Sequence, residues 1–137
     1  MGSNRGQQGF TMIELIMVIV VLGVLSVYAA AKSPGSSLTL RSSADQLAMD
    51  IRQAQAYSMS NTGTGDYSIL STTSDTYQIR DPGGTPVSTV TLSGVTLTSF
   101  NILFDGRGQP AAGVIITLTM GSSSRTVEVV FPTGLVR

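Results

Sequence analysis

The sequence predicts an α+β protein in which two helices are followed by a β-rich region. Three observations support this prediction. No charged residue occurs between Leu15 and Ala31, which predicts a long apolar helix. Small apolar residues then recur at helical spacing, and after Gly65 the chain changes to short runs of Thr, Ser, Val and Ile separated by Gly, Pro and Asp, as is typical of strands.

Composition narrows the function classes before any motif is considered. The 137 residues carry no net charge, only 12% of them are charged, and His, Cys and Trp are absent. A broad basic surface is therefore not expected, and metal sites or catalytic centres built from His or Cys are excluded. We expect a protein without enzyme activity, cofactor or metal.

An acidic residue lies near the start of the apolar helix. The apolar run opens with Gly9-Phe10-Thr11-Met12-Ile13-Glu14-Leu15, and Glu14 is the one charged residue between Phe10 and Ala31. An ionised carboxylate inside a membrane helix costs roughly 2 to 3 kcal/mol, so Glu14 requires a positive partner. Cleavage between Gly9 and Phe10 would create one, because it produces a new α-amino group.

This pattern, G-F-T-x-x-E before a long apolar run, resembles the cleavage and N-methylation signature of the type IV pilin and type II secretion pseudopilin superfamily. The resemblance implies that residues 1–9 are a prepilin leader. It implies cleavage between Gly9 and Phe10, N-methylation of Phe10 and a role for Glu14 in assembly. The implied partners are a prepilin peptidase, the inner membrane, and other pilins or pseudopilins in a filament.

Residues 10–32 are the predicted transmembrane and filament-core helix. At 1.5 Å per residue they would extend about 35 Å, which is sufficient for the hydrocarbon core of a bilayer. The alternative is an ordinary secretory signal peptide, with Arg5 in its positive region and Ala29-Ala30-Ala31 as its cleavage site. Glu14 within the apolar part favours the pilin interpretation.

Residues 33–137 are the predicted globular head. The run from Ser33 to Ser37 contains Pro34 and predicts a kink or an unwound link, because proline donates no backbone hydrogen bond. A capping box from Ser43 to Gln46 predicts a second helix over residues 43–61, packed on an antiparallel sheet. Its buried face should hold Ala44, Leu47, Ala48, Ile51, Ala54 and Ser58, opposite Gln46, Asp50, Gln53 and Ser60.

Strands are predicted near residues 67–71, 76–80, 87–92, 95–104, 114–120, 125–131 and 135–137. The segments 114–120 and 125–131 should form a hairpin around the turn Gly121-Ser122-Ser123-Ser124. Between Leu97 and Phe100 the apolar alternation slips by one residue, which predicts a bulge or a strand break. The shared faces should be Val114, Ile116, Leu118 and Met120 in one strand, and Val127, Val129 and Phe131 in the other.

The C-terminal half resembles the closing pattern of GspH/FimT-type minor pilins and pseudopilins, in residues 104–110, 114–119, 125–131 and 133–137. This resemblance implies a structural subunit, in a minor or initiating position, of a type IV pilus or a type II secretion pseudopilus. It also implies a bacterial inner-membrane precursor that crosses the membrane once with a cytoplasmic N terminus. The mature subunit would then belong to a periplasmic pseudopilus or an extracellular pilus.

DNA uptake is a second hypothesis, because some FimT-like proteins bind DNA through arginines near the C terminus. Leu135 stands where such a pattern requires its first arginine, but Arg107, Arg125 and Arg137 could still cluster. About three phosphate contacts would give weak binding with a shallow salt dependence. The segment 105–108 contains one acid and precedes no helix, so it predicts a β-turn rather than a cation or phosphate loop.

Overall fold

A computed structural model describes residues 10–31, 35–61 and 66–137. Two helices and eight strands lie in these ranges. The helices are α1 (Met12–Ala31) and α2 (Gly35–Ser60), and the strands are β1 (Tyr67–Ser71), β2 (Thr76–Arg80), β3 (Pro86–Thr91), β4 (Thr96–Leu97), β5 (Asn101–Phe104), β6 (Val114–Met120), β7 (Ser123–Val130) and β8 (Leu135–Val136). The chain divides into two compact units, residues 1–34 and residues 35–137.

α1 is apolar on all its described sides. Its 20 residues include one charged side chain, Glu14, and every large apolar side chain from Ile13 to Val27 is at least half exposed. A helix with apolar residues all round is stable only when another apolar environment covers it. The helix lies within the predicted segment 10–32, in which Phe10 and Thr11 precede it and Lys32 lies outside the described residues.

Across the ranges 10–31, 35–61 and 66–137, no helix has the length and apolar character needed to cross a membrane.

α2 begins earlier than the sequence predicts. Its 26 residues start at Gly35, so the predicted unwound segment at 35–37 and the predicted helix start at Ser43 are both wrong. The physical reason is that a proline restricts its own backbone and the residue before it, so a helix can begin at the residue that follows it. Ser43 is buried inside α2 instead of capping it. Ser33 and Pro34 lie outside the described residues.

The predicted apolar stripe of α2 is confirmed. Its most buried members are completely inaccessible and pack against strands of both sheets. Asp50 is an exception to the predicted polar face, because it is partly buried and accepts a hydrogen bond of 2.6 Å from the Tyr77 hydroxyl. The buried members of the predicted stripe are Ala44, Leu47, Ile51, Ala54 and Ser58, and Ala48 is half-buried. Leu40, which was not predicted, is buried as well.

The head contains two antiparallel sheets of four strands rather than the single sheet expected. Their strand orders are β3-β2-β1-β5 and β4-β6-β7-β8. The predicted strand 95–104 is divided between them, because β4 pairs with β6 and β5 pairs with β1. The predicted strand break between Leu97 and Phe100 is therefore confirmed, and it marks the passage of the chain from one sheet to the other.

The predicted hairpin of β6 and β7 is confirmed, with a shorter turn. Met120 pairs with Ser123, so only Gly121 and Ser122 form the loop. Gly121 has a φ of 59°, as the first central position of a two-residue type II′ turn requires. Ser123 belongs to β7, and the predicted four-residue turn is therefore too long by two residues.

The core of the head lies between α2 and the inner faces of both sheets. Ile116 and Leu118 of β6 are buried with Val127 and Val129 of β7, as their alternation predicts. Phe131 was predicted to share this face, but it is 58% exposed. It lies beyond the last residue of β7, where strand alternation no longer determines the direction of the side chain.

Ser58 connects α2 to the first sheet. Its buried hydroxyl donates to the Phe104 carbonyl at 3.0 Å and accepts from the Tyr67 N–H at 2.9 Å. Ser58→Ala leaves the buried Phe104 carbonyl and the partly buried Tyr67 N–H without this partner, and one buried unsatisfied group costs about 1 to 3 kcal/mol. We expect the free energy of unfolding to fall by about 2 kcal/mol or more, as measured by urea denaturation.

Ser60→Ala is the matched control, because the Ser60 hydroxyl is exposed and donates only to the Tyr57 carbonyl of its own helix. Its free energy of unfolding should change by less than about 0.5 kcal/mol. Equal losses in Ser58→Ala and Ser60→Ala would contradict the role of Ser58.

Candidate functional site

The described part of the chain begins at Phe10, the residue that directly follows the predicted cleavage site. Phe10 is 81% exposed, and Gly9 lies outside the described residues. Thr11 follows and precedes the first residue of α1.

Thr11 caps the N terminus of α1, a role that the sequence predictions missed. The Glu14 N–H donates to Thr11 Oγ1 at 3.4 Å and approaches the Thr11 carbonyl oxygen at 3.1 Å. A threonine followed three residues later by a glutamate is the sequence signal of a capping box, so this cap was predictable. Glu14 lies in the first turn, where the partial positive charge of the helix N terminus favours a carboxylate.

The Glu14 side chain is exposed. Within the part of the chain that the structure describes, its carboxylate forms no hydrogen bond and no ion pair. The carboxylate can therefore meet a positive group that approaches α1 from outside.

Two of the three predicted DNA-contact arginines line one groove of the head. Arg125 and Arg137 surround a cavity of about 290 Å³ together with Arg52, which the sequence predictions missed. We call this the arginine groove. Its other lining residues are Ala44, Asp45, Ala48, Met49, Thr126 and Val127.

The three arginines of the groove differ in their hydrogen bonds. Arg52 Nη2 donates to the Val136 carbonyl at 3.1 Å. Arg137 Nε donates to Glu128 Oε2 at 2.8 Å, and this hydrogen bond holds the pKa of Glu128 below its usual range. Arg125 is exposed and has no hydrogen bond or ion pair to any described residue. Its charge is therefore the most available of the three.

Arg107 lies elsewhere, in the turn of residues 105–109. The Gly108 N–H donates to the Asp105 carbonyl at 2.9 Å, which confirms the predicted β-turn. Asp105 Oδ1 accepts from the backbone N–H groups of Arg107 and Gln109, at 2.9 and 2.7 Å. The Asp105 carboxylate is therefore engaged in hydrogen bonds within its own turn. Arg107 does not line the arginine groove.

Arg52 could not be assigned to the groove from the sequence. It follows the buried Ile51 at the edge of the α2 stripe, which shows that it borders a packed surface. Which strand approaches that edge depends on the pairing of β7 with β8. Helical spacing contains no information on that pairing.

The buried Tyr77 hydroxyl donates a hydrogen bond to the half-buried carboxylate of Asp50. Burial raises the pKa of Tyr77 far above its usual range, and the hydrogen bond to Asp50 raises it further. The phenol therefore stays protonated and donates to the carboxylate, which ties β2 to α2. Among the described residues, no group of three His, Cys, Asp or Glu side chains could hold a metal ion.

Residues 4–30 match the family model described as the prokaryotic N-terminal methylation motif. The chain therefore carries an N-terminal methylation motif. The match supports the type IV pilin and pseudopilin superfamily, and it spans Gly9, Phe10 and Glu14. No curated protein and no solved structure is similar enough to the chain to count as a match.

The ion pair between Arg137 and Glu128 can be tested by titration. Arg137→Gln removes the donor that lowers the Glu128 pKa, so this pKa should rise toward its usual range. A depressed carboxyl pKa stabilises the fold above the unfolded pKa, and this contribution is lost as the pH falls through the folded value. NMR titration of the Glu128 side-chain carboxyl measures the shift.

Arg125→Gln is the control for this titration, because Arg125 does not contact Glu128 and the Glu128 pKa should stay where it is. An unchanged Glu128 pKa in Arg137→Gln would show that the ion pair does not form in solution.

Proposed function

We propose that the chain is a structural subunit of a type IV pilus or a type II secretion pseudopilus, in a minor or initiating position. The observation that carries this proposal is α1, an apolar helix with an unpaired Glu14 in its first turn, and most of this helix lies within the matched methylation motif of residues 4–30. Proteins with this motif are structural rather than catalytic. The minor position is supported by the GspH/FimT-type resemblance of the C-terminal half.

The proposed precursor is anchored in the inner membrane, and a prepilin peptidase removes residues 1–9 and methylates Phe10. α1 then leaves the lipid and packs beside the equivalent helices of other pilins. Lipid tails are as apolar as the side chains of a neighbouring helix, so the hydrophobic effect alone does not favour this transfer. A polar interaction that forms only between subunits would supply the missing preference.

Glu14 fits this requirement, since its carboxylate is exposed and would meet the amino terminus of a neighbouring subunit. Two unit charges about 4 Å apart attract by roughly 4 kcal/mol at an effective dielectric constant of 20, as a gross Coulomb energy. This energy is similar in size to the roughly 2 to 3 kcal/mol that a carboxylate costs inside a membrane helix. Pairing therefore offsets burial in the filament but not in the free precursor.

DNA uptake stays a separate hypothesis. Arg125 and Arg137 do line one groove, but Arg107 is outside it, and Glu128 already binds Arg137. Few phosphate contacts are available, and the electrostatic contribution to DNA binding scales with their number.

The mature protein should begin at Phe10 and carry one added methyl group. Gly9 precedes the cut because a residue without Cβ allows the peptidase close approach to the backbone. The mass of the intact protein purified from membranes or filaments measures both modifications. A mature chain that begins at Lys32 would establish the secretory-signal alternative and remove the filament hypothesis.

Glu14→Gln should leave membrane insertion and cleavage intact but reduce incorporation into filaments about tenfold, the factor that corresponds to roughly 1.4 kcal/mol. The substitution removes the charge and keeps the size of the side chain. Incorporation is measured as the amount of subunit in sheared filaments relative to processed subunit in the membrane.

Thr11→Ala is the control for a local effect, because it removes the cap of α1 and leaves the charge of Glu14 in place. Loss of a cap costs about 1 kcal/mol of helix stability. Incorporation of Glu14→Gln at the wild-type level, or an equal defect in Thr11→Ala, would exclude pairing between subunits as the function of Glu14.

A further inference from the structure

We propose that Asp105–Gly106 is a modification site at which the backbone rearranges to isoaspartate, and that opening of the turn at residues 105–109 sets the rate. Among the aspartates of the sequence, Asp105 is the one that a glycine follows. Glycine has no Cβ to obstruct the approach to its nitrogen. The reaction requires no partner or cofactor, and the proposal is independent of the proposed function.

The rearrangement joins the Asp105 side chain to the next backbone nitrogen. The nitrogen of Gly106 attacks the carbonyl carbon of the protonated side-chain carboxyl, and the carboxyl hydroxyl leaves with the amide proton as water. Water then adds to one of the two carbonyls of the resulting five-membered imide. Opening at the side-chain carbonyl restores aspartate, whereas opening at the main-chain carbonyl breaks its bond to nitrogen and leaves the chain linked through the side chain. One water is lost and one regained, so no oxidant or reductant is required.

The folded turn directs the Asp105 carboxylate away from the reacting nitrogen. Its Oδ1 accepts from the backbone N–H groups of Arg107 and Gln109, at 2.9 and 2.7 Å. These donors lie two and four residues ahead, whereas the reaction requires the nitrogen directly after Asp105. Gly106 and Arg107 are exposed, and exposed turns open locally at a low cost in free energy. We therefore expect the reaction to occur from the opened turn.

The turn at residues 105–109 rests directly on α2. Gln55 Nε2 donates to the Gly108 carbonyl at 2.7 Å, and a Cβ on Gly108 would lie 2.9 Å from Met59 Sδ. Isoaspartate adds a methylene group to the main chain. It also converts the Asp105 main-chain carbonyl, which accepts from the Gly108 N–H at 2.9 Å, into a free carboxylate. The modified turn should therefore lose its hydrogen bond to Gln55.

A second turn of the same geometry lies at residues 81–85. The Gly84 N–H donates to the Asp81 carbonyl at 2.9 Å, and the Thr85 N–H donates to Asp81 Oδ1 at 2.7 Å. Hydrogen bonds of the same kind and the same lengths order the turn at residues 105–109. The second turn is therefore an internal control for the first.

Pro82 stands in the second turn where Gly106 stands in the first. A proline nitrogen carries no proton to lose, so it cannot form the imide. Asp81 and Asp105 fall in one tryptic peptide, residues 81–107, because no lysine or arginine lies between them. The two aspartates can thus be compared within one molecule.

The test stores the full chain in detergent micelles at one pH and temperature, either folded or unfolded in urea. Isoaspartate is measured by mass-spectrometric fragmentation of the tryptic peptide, and by an isoaspartate-specific methyltransferase that labels the free α-carboxylate. Isoaspartate should accumulate at Asp105 and not at Asp81. In urea it should form about tenfold faster, the factor expected for the loss of one charge-assisted hydrogen bond.

Variants separate the chemistry of the site from the stability of the turn. Gly106→Ala should slow the reaction several-fold, because the added Cβ obstructs the nitrogen but meets no other part of the fold within 4 Å. Gly106→Pro should abolish it, and Pro82 shows that a turn of this geometry accepts proline. Gln55→Ala should speed it about fivefold, as expected for the loss of one neutral hydrogen bond. Gln53→Ala is the matched control, because Gln53 donates to the Tyr57 hydroxyl of its own helix, and its rate should not change.

No isoaspartate at Asp105 in the folded chain, equal amounts at Asp81, or an unchanged rate in Gly106→Ala would overturn the site. Equal rates in the folded and unfolded chain, or the wild-type rate in Gln55→Ala, would overturn control by the turn. The comparison of the two aspartates uses the unaltered chain, so the test stays decisive if a variant fails to fold. Leader cleavage and filament incorporation are measured separately, so failure of this proposal leaves the proposed function standing.

Discussion

The exposed apolar surface of α1 is the constraint on which the rest of this protein depends. A helix of 20 residues that is apolar on every described side must be covered either by lipid or by other apolar helices. The methylation motif spans residues 4–30 and includes most of this helix, and we propose that the subunit uses both environments in turn. Glu14 is the one charged group that could distinguish them, because its charge is costly in lipid and can be paired in a filament.

The head has a core of its own, built by α2 and two sheets without any residue of α1. Hydrogen bonds of Ser58 and of the Tyr77–Asp50 pair connect the first sheet to α2. The second sheet packs its apolar face against the same helix. The side chains on the outside of this core, including those of the arginine groove, are held in place by α2 and the two sheets. The contacts of α1 with its surroundings can then change without disturbing the fold of the head.

Local pattern predicted most elements of the head, because helical spacing and strand alternation report directly on burial. The strands β1, β2 and β6 have the predicted bounds. The start of α2 at Gly35 differs from the prediction, because the composition of the run from Ser33 to Ser37 predicts a helix break, whereas a helix can begin at the residue that follows a proline. The second sheet and the place of Arg52 were also missed, because both depend on which distant strands pair. The T-x-x-E cap at Thr11 was a local signal and could have been found.

The most direct measurement of the central claim is a photocrosslink from the middle of α1. Replacement of Val20 by a benzophenone amino acid places the probe on the exposed apolar surface of the helix. In isolated filaments, mass spectrometry should then find adducts with the N-terminal apolar helices of neighbouring subunits. Adducts that map only to globular heads, or a filament fraction without any adduct, would contradict the assignment of α1 to the filament core.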